Sequence, residues 1–417
     1  MTIIKNRQED WDYYNAFTKR ATHRYHNYPA MMIPQVAERL ITTYGKNARL
    51  LFDPYCGTGT SLVEANLQGI NAIGTDLNPL ARLIAETKTS VIDLKDLDKY
   101  LNLYNDETFL FHYNLNGKTH IPVFKNIDFW FSKPVQKKLA FIKDFIDKIS
   151  DKKIKKFFYV AFSETVRESS YTRNGEFKLY RMTERQRKNF NPDVFGMMRQ
   201  KLMRNRKGLI EFIHLLPDKQ VFSKIESFNT VYSTGPITEQ SVDIVVTSPP
   251  YGDSRTTVAY GQFSRLSNQW LGIENAHQLD NELMGGKKTS IQKFGIKKLD
   301  HIIEKISQID PKRASEVYSF YADYKQSIKN VAKTIKAGGY ACYVVGNRTV
   351  KGIRLPTDEF TKIFFEQNGF SHIETYIRKI PHKRMPKKNS PTNIPGKTQS
   401  TMNNEYIVIM KKLTANS

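Results

Sequence analysis

The chain is short of cysteine, with only Cys56 and Cys342 in 417 residues. Two thiols build neither a disulfide framework nor a thiolate metal site, and the nine histidines show no ligand-like spacing, so no metal is expected. Negative charge is scarce as well. Lys and Arg outnumber Asp and Glu by 64 to 41, a net charge of +23, which points to a polyanionic partner bound largely through counterion release. On charge alone, RNA or a membrane surface stands level with DNA. Also missing is any run of about 18 apolar residues, and Met1-Thr2-Ile3-Ile4-Lys5-Asn6-Arg7 has no signal-peptide hydrophobic region, so a membrane role is not expected and the expected compartment is the cytoplasm. What is abundant is core material. With 40% hydrophobic and 12% aromatic residues the chain can bury a sizeable interior, divided among about two or three units.

Two motifs carry chemistry. Val242-Asp243-Ile244-Val245-Val246 reads as a short buried strand that runs into Thr247-Ser248-Pro249-Pro250-Tyr251, at the carboxyl end where α/β sheets bind ligands. Two prolines fix φ and donate nothing, which leaves stiff carbonyls free to accept from a planar NH₂ group. Ser248 Oγ offers a second acceptor, and Tyr251 a ring on which a base can stack for about 1–3 kcal/mol. Alone, this is more often a proline-rich turn after a strand. The second motif is Leu50-Leu51-Phe52-Asp53-Pro54-Tyr55-Cys56-Gly57-Thr58-Gly59-Thr60, a strand entering a Gly-x-Gly turn and then a helix, where backbone N–H groups can approach a ligand. Another apolar strand, Ala72-Ile73-Gly74, ends in Thr75-Asp76-Leu77-Asn78-Pro79, with its acid about 20 residues on, where nucleotide-type folds hold a ribose diol.

Together these motifs resemble the S-adenosylmethionine-dependent amino-group DNA methyltransferases, over roughly residues 22–95 and 235–412. The resemblance implies that Asp53, Cys56, Gly57, Thr58, Gly59 and Thr60 form the methionine-binding loop and that Asp76, Leu77 and Asn78 surround the ribose. It makes Ser248, Pro249, Pro250 and Tyr251 the catalytic motif, with Thr247 on the cofactor side. Tyr25-His26-Asn27-Tyr28-Pro29-Ala30 resembles the segment that closes over the methionine end, through Tyr28 and Pro29, and Asp93 is the candidate for the adenine end. Tyr55-Cys56 departs from the family's more usual Phe followed by a small residue. Cofactor loop, long insertion, then catalytic motif is the order of the family's alpha class. The implied fold is α/β: a Rossmann-like class I methyltransferase domain with a mostly parallel sheet and a terminal antiparallel hairpin, interrupted by a largely helical target-recognition insertion. Residues 1–97 would carry the cofactor half, 98–235 the insertion, and 236–417 the catalytic half with a basic C-terminal loop.

In the insertion, Arg173, Asn174, Arg181, Arg185 and Arg187 are interleaved with tyrosines, offering phosphate contacts and base-edge readers. A solvated charged face is the equal alternative. Arg199 to Lys207 repeats basic residues at helical spacing and would meet backbone phosphates. Lys383, Arg384, Lys387 and Lys388 lie between two strand-like segments, 372–377 and 405–410, where a loop could clamp DNA. Trp11, Tyr13, Tyr14 and Phe17 are spaced for a short amphipathic helix, and Gly338-Gly339 should cap a helix over Ser315–Ile335.

The expected substrate is a nucleotide flipped from double-stranded DNA, its amine attacking the cofactor's methyl group directly. Ser at the first motif position favours N4 of cytosine, since Asp is more usual in the N6-adenine enzymes. A C5-cytosine enzyme needs a nucleophilic thiol in its catalytic loop, and none occurs between Val242 and Trp270. An RNA base methyltransferase shares both motifs, a protein glutamine methyltransferase would prefer Asn in place of Ser248, and a noncatalytic nucleic-acid-binding module would leave the paired motifs to coincidence. A cognate restriction endonuclease is a possible partner. Oligomeric state is not readable from these residues.

Overall fold

A computed structural model describes residues 5–106, 119–173, 175, 177–218, 220–253, 258–380, 388–389, 399–400 and 402–414. Eight strands join in one sheet: β1 (Lys5–Arg7), β2 (Leu50–Asp53), β3 (Asn71–Thr75), β4 (Ser223–Glu226), β5 (Val242–Thr247), β6 (Ile335–Gly346), β7 (Phe370–Lys379) and β8 (Asn404–Lys412). Their spatial order is β1-β7-β8-β6-β5-β2-β3-β4, and only β8 runs antiparallel to its neighbours. The terminal hairpin of β7 and β8 is therefore present as expected. From β2 the chain steps outward to β3 and β4, then returns to β5 on the other side of β2. That reversal leaves a crevice at the carboxyl ends of β2 and β5, where open α/β sheets place their ligands.

Helices α1 (Pro34–Tyr44), α2 (Thr60–Leu67) and α3 (Pro79–Lys88) accompany the first strands. The insertion is helical, with α4 (Leu94–Asn105), α5 (Lys133–Asp147), α6 (Lys152–Ser169) and α7 (Val194–Leu215). After Ser248-Pro249-Pro250-Tyr251 come α8 (Tyr260–Trp270), α9 (Lys297–Ile309), α10 (Pro311–Thr334) and α11 (Thr357–Glu366). Caps set several starts: Asp151 accepts from the N–H groups of Lys153 and Ile154 at the head of α6, each at 2.8 Å, and Asp310 caps α10 just before Pro311. Among the described residues no helix is long and apolar enough to cross a membrane.

Four sequence expectations need correction. First, β4 falls inside the stretch assigned to the insertion yet pairs with β3 in parallel; as an edge strand of polar composition, Ser-Lys-Ile-Glu, it carries no apolar run to announce it. Second, Gly338-Gly339 caps no helix. The chain passes from α10 directly into β6, and Gly338 takes φ +77° near a register irregularity against β5, while a Cβ on Gly339 would stand 2.8 Å from the Asp243 carbonyl. Third, the aromatic start forms a 3₁₀ turn rather than an amphipathic helix: Trp11 is buried against Tyr376 at a ring separation of 4.9 Å, but Tyr14 and Phe17 are exposed. Fourth, much of the basic run on α7 is engaged internally, although Arg199 and Lys207 are exposed. Lys201 pairs with Glu168, Arg204 with Glu164 and Arg206 with Asp98, at 2.5, 2.6 and 2.6 Å.

The insertion and the catalytic half share a core. Trp270, at the end of α8, is fully buried, and its ring meets Phe124, Phe131 and Phe162 of the insertion at centroid separations of 6.2, 5.7 and 6.2 Å. Removing that ring should leave a cavity no neighbour can fill. Trp270→Ala is expected to lower unfolding stability by about 3–5 kcal/mol in a denaturant titration, and a loss below about 1 kcal/mol would mean the insertion folds independently of α8.

Candidate active site

The glycine loop leaves β2 at Asp53, whose side chain is almost fully buried. Thr247 Oγ1 donates to its Oδ1 at 2.5 Å, Ser61 Oγ donates to Oδ2, and the Tyr55 N–H donates to Oδ1 at 3.1 Å. These donors favour the carboxylate, but burial outweighs them and pushes its pKa up to about 6. The turn that follows depends on glycine. Gly57 and Gly59 have φ of +49° and +76°, and Gly59 abuts Ala85, whereas a Cβ on Gly57 would meet no atom within 4 Å because that position opens onto a cleft.

Asp76 closes the loop from β3. Its Oδ2 accepts from the Gly57 N–H at 3.1 Å and its Oδ1 from the Asn78 N–H at 2.7 Å, while burial raises its pKa. Asn78 is committed to structure: its Nδ2 donates to Tyr28 Oη at 2.7 Å and to Ser264 Oγ at 2.6 Å. Those bonds draw the N-terminal segment onto α8, where the Tyr28 ring stacks on Tyr260 at 6.1 Å.

The resulting cleft is open to solvent and spans about 1060 Å³ with its mouth included. Of the residues singled out from sequence, Tyr28, Pro29, Asp53, Cys56, Gly57, Thr58, Thr60, Asp76, Leu77, Asn78, Ser248 and Pro250 line it. Gly59 and Thr247 support the lining from behind. Thr58 Oγ1 is buried and has no hydrogen-bond partner among the described residues. Burial pushes the Cys56 and Cys342 thiols up, so neither is a nucleophile.

Asp93 is not in this cleft. It is exposed and caps α4, accepting from the Asp96 N–H at 3.0 Å. Sequence reasoning missed the wall that stands near Leu77 instead: Phe228, Asn229 and Thr230, which follow the unannounced β4, together with Tyr260, Leu283 and Met284. Only Tyr260 had a usable signal, as an aromatic opening the helix after the catalytic motif.

At the end of β5, Ser248 Oγ donates to the Val344 carbonyl at 3.1 Å, which leaves its lone pairs available. Pro249 is buried beside it. Tyr251 donates to Glu405 Oε1 at 2.8 Å and its hydroxyl stands 3.3 Å from Ser248 Oγ. In the insertion, Arg173 and Arg185 are exposed, while the Arg181 guanidinium lies 3.8 Å over Phe129 and Arg187 approaches Tyr171 at 5.8 Å. This surface meets α8 through a bond of 3.3 Å from the Leu179 N–H to Gln262 Oε1. Asn174, Lys383, Arg384 and Lys387 lie outside the described residues, and Lys388 falls in a two-residue strand paired with Gln399–Ser400.

A sheet of this order, with a glycine turn after one central strand and Ser-Pro-Pro-Tyr after the next, defines a class I methyltransferase. The comparisons narrow the class. The DNA methylase family of the N6/N4 type matches residues 4–86. The chain is 40% identical to the Type II methyltransferase M.MvaI of Kocuria varians, across 98% of this chain and 95% of that protein. It is 32% identical to the Type II methyltransferase M.MjaII of Methanocaldococcus jannaschii over 36% of this chain and 27% of that one. Among solved structures, a SAM-dependent methyltransferase from Methanosarcina mazei aligns over 90% of this chain and 97% of its own, with 10% identity and a TM-score of 0.31. The chain belongs to the S-adenosylmethionine-dependent amino-group DNA methyltransferases, the N4/N6 type.

The raised pKa of Asp53 has a measurable consequence. An acid whose folded pKa is about 6 and whose ordinary value is 3.8 holds its proton more tightly when folded, so its contribution to stability falls as pH rises between those values. Asp53→Asn removes the titration. The melting temperature of Asp53→Asn relative to wild type should therefore increase from pH 4 to pH 6 and level off above; a difference that is flat with pH would place the carboxyl at its ordinary value.

Proposed function

We propose that this chain is a site-specific Type II DNA methyltransferase that methylates the exocyclic N4 amine of a cytosine flipped out of the duplex. The observation that carries this reading is that Ser248 and Pro250 line the same cleft as Asp53, Gly57 and Asp76, so a target amine and a cofactor would meet across the ends of β5 and β2. The chemistry of the lining supports S-adenosylmethionine there. The buried carboxylate of Asp53 and the half-buried one of Asp76 suit an ammonium group and a ribose diol, the unpartnered Thr58 hydroxyl awaits a polar partner, and the open space over Gly57 admits a ligand to the backbone. Leu77, Phe228 and Asn229 take over the adenine end from Asp93.

Bound there, the cofactor supplies a methyl group activated by a sulfonium. The protein's work is alignment. Ser248 Oγ, its own proton given to Val344, accepts from the target amine together with the Pro249 carbonyl, which turns the nitrogen lone pair out of the ring and toward the methyl carbon. Tyr251 stacks on the flipped base. Neither a thiol nor a covalent enzyme intermediate is needed. Serine rather than aspartate at the first motif position supports cytosine N4 over adenine N6. Exposed Arg173 and Arg185 on the insertion, with Lys383, Arg384, Lys387 and Lys388 between β7 and β8, supply the phosphate and base contacts. The Type II names of the relatives support a cognate restriction endonuclease as the biological partner.

Incubation of the protein with labelled cofactor and unmethylated DNA, followed by nucleoside mass spectrometry, should yield N4-methylcytosine; N6-methyladenine would replace the cytosine reading, and labelled RNA alone would overturn the DNA one. Ser248→Ala should bind cofactor normally in calorimetry yet transfer methyl on the order of 10²-fold more slowly in a single turnover, the scale of one aligned catalytic group. A near-normal rate would return Ser-Pro-Pro-Tyr to being a turn.

On the DNA side, Lys383→Ala and Arg384→Ala should each weaken binding to all duplexes and reduce the salt slope by about 1, whereas Arg173→Ala should alter discrimination between cognate and random duplexes. Equal losses on both duplexes for all three variants would remove Arg173 from recognition.

A further inference from the structure

We propose that Glu405 is a positioning residue for methyl transfer, holding the Tyr251 hydroxyl and thereby the ring that stacks on the target base; this rests on the role given to Tyr251 above. Gly346, Glu405 and Arg378 lie directly opposite one another across β6, β8 and β7, so the pleat sends them to one face of the sheet. Tyr251 packs on that row. A Cβ on Gly346 would stand 2.6 Å from Tyr251 Cδ2, so any larger residue would displace the ring. Next to the glycine, Glu405 Oε1 receives the Tyr251 hydroxyl at 2.8 Å, and its Oε2 is paired with Arg378 Nη1. Arg378 is itself immobilised, with 2% of its surface exposed and its Nε donating to the Trp11 carbonyl at 2.9 Å.

The consequence is a rigid reference for the target base. A cross-strand Glu–Arg pair would stabilise the hairpin without any tyrosine, so the third member of the network calls for a separate explanation. Pairing with the Arg378 guanidinium fixes the carboxylate and leaves its Oε1 turned to the phenol. Burial and the neighbouring Glu405 hold Tyr251 well above its ordinary pKa, so it donates rather than ionises. Ser248 is tied to the same region through Val344, two positions before Gly346 in β6. Both groups that would grip the base, the amine acceptor and the stacking ring, are thus anchored to neighbouring strands, and their relative position is fixed before the base arrives.

Tyr251→Phe tests the tether, because it keeps the ring and leaves the Glu405–Arg378 pair intact. With unmethylated plasmid DNA and saturating S-adenosylmethionine, Tyr251→Phe and Glu405→Gln should each slow single-turnover transfer about tenfold, the scale of one charge-assisted hydrogen bond, while the cofactor Kd from calorimetry stays unchanged. The double variant should be no slower than Tyr251→Phe, since the glutamate acts through the hydroxyl. Losses that multiply would show that Glu405 acts through the sheet instead and would overturn the proposal, as would a wild-type rate for Tyr251→Phe, which remains decisive even if Glu405→Gln fails to fold. Tyr251→Ala separates the two readings: if it abolishes transfer while Tyr251→Phe is silent, only the tether fails, whereas if Tyr251→Ala is also silent, the role of the motif fails with it.

Discussion

The hydrogen bond from Thr247 to the buried Asp53 carboxylate fixes the geometry on which the site depends. Asp53 ends β2 and Thr247 ends β5, the two adjacent strands at which the sheet changes direction. Ser61 binds the other oxygen from α2, so one carboxylate joins two strands and the helix that follows the glycine turn. A buried carboxyl is costly, and here the cost is offset only in part, as its raised pKa shows. The retained penalty has a functional reading: a cationic ligand group arriving in the cleft would supply the compensation that the hydroxyls leave incomplete. Because Ser248 directly follows Thr247, the same bond sets the distance between the glycine loop and Ser248.

Tyr55, the departure from the family's usual Phe, acquires a role from the same cleft. Its hydroxyl bonds Ser327 Oγ, which Thr230 Oγ1 also meets at 2.6 Å, and Asn330 on the next turn donates to the Thr230 and Val231 carbonyls at 2.9 and 3.1 Å. Two walls of the cleft, the glycine loop and the segment after β4, are thereby bonded to one face of α10. Phenylalanine would fill the space but leave Ser327 and Thr230 without this third hydroxyl. The segment after β4 also stacks Phe228 on Phe52 at 6.3 Å, so the hydroxyl network adds direction to an apolar contact.

What was legible in the sequence follows from how local each signal is. The glycine turn, the acid after β3 and Ser-Pro-Pro-Tyr are constrained by their own backbone and by a strand on one side, and Gly57, Asp76, Ser248 and Pro250 line one cleft. β4 was illegible because an edge strand needs hydrogen-bonding partners more than apolar residues. Asp93 misled because an aspartate before a helix looks alike whether it caps or binds, and here it caps. Gly338-Gly339 had the composition of a helix stop, but close approach to the Asp243 carbonyl, a tertiary contact, decided its use. The row of Gly346, Glu405 and Arg378 spans three strands, and no window of sequence contains it.

Charge illustrates the same limit more sharply. A net of +23 gives the sign of the partner and favours fast, salt-sensitive association, but it does not locate the footprint. On α7 the basic residues that look most like a phosphate-binding face meet Glu168, Glu164 and Asp98, and Arg199 donates to Asn105. They join the insertion to itself, and recruiting them for DNA would break partly buried pairs. Arg181 is different, because a guanidinium lying on the half-exposed Phe129 ring keeps its charge while its apolar faces are covered. That arrangement holds a planar cation rigidly on a surface bonded to α8, the helix that follows the catalytic motif. A rigid donor can select among base edges, whereas a freely rotating lysine contributes mainly attraction. In the proposed reading the footprint draws on basic residues that acidic partners do not hold, with the exposed Arg173 and the ring-held Arg181 as its candidate base readers.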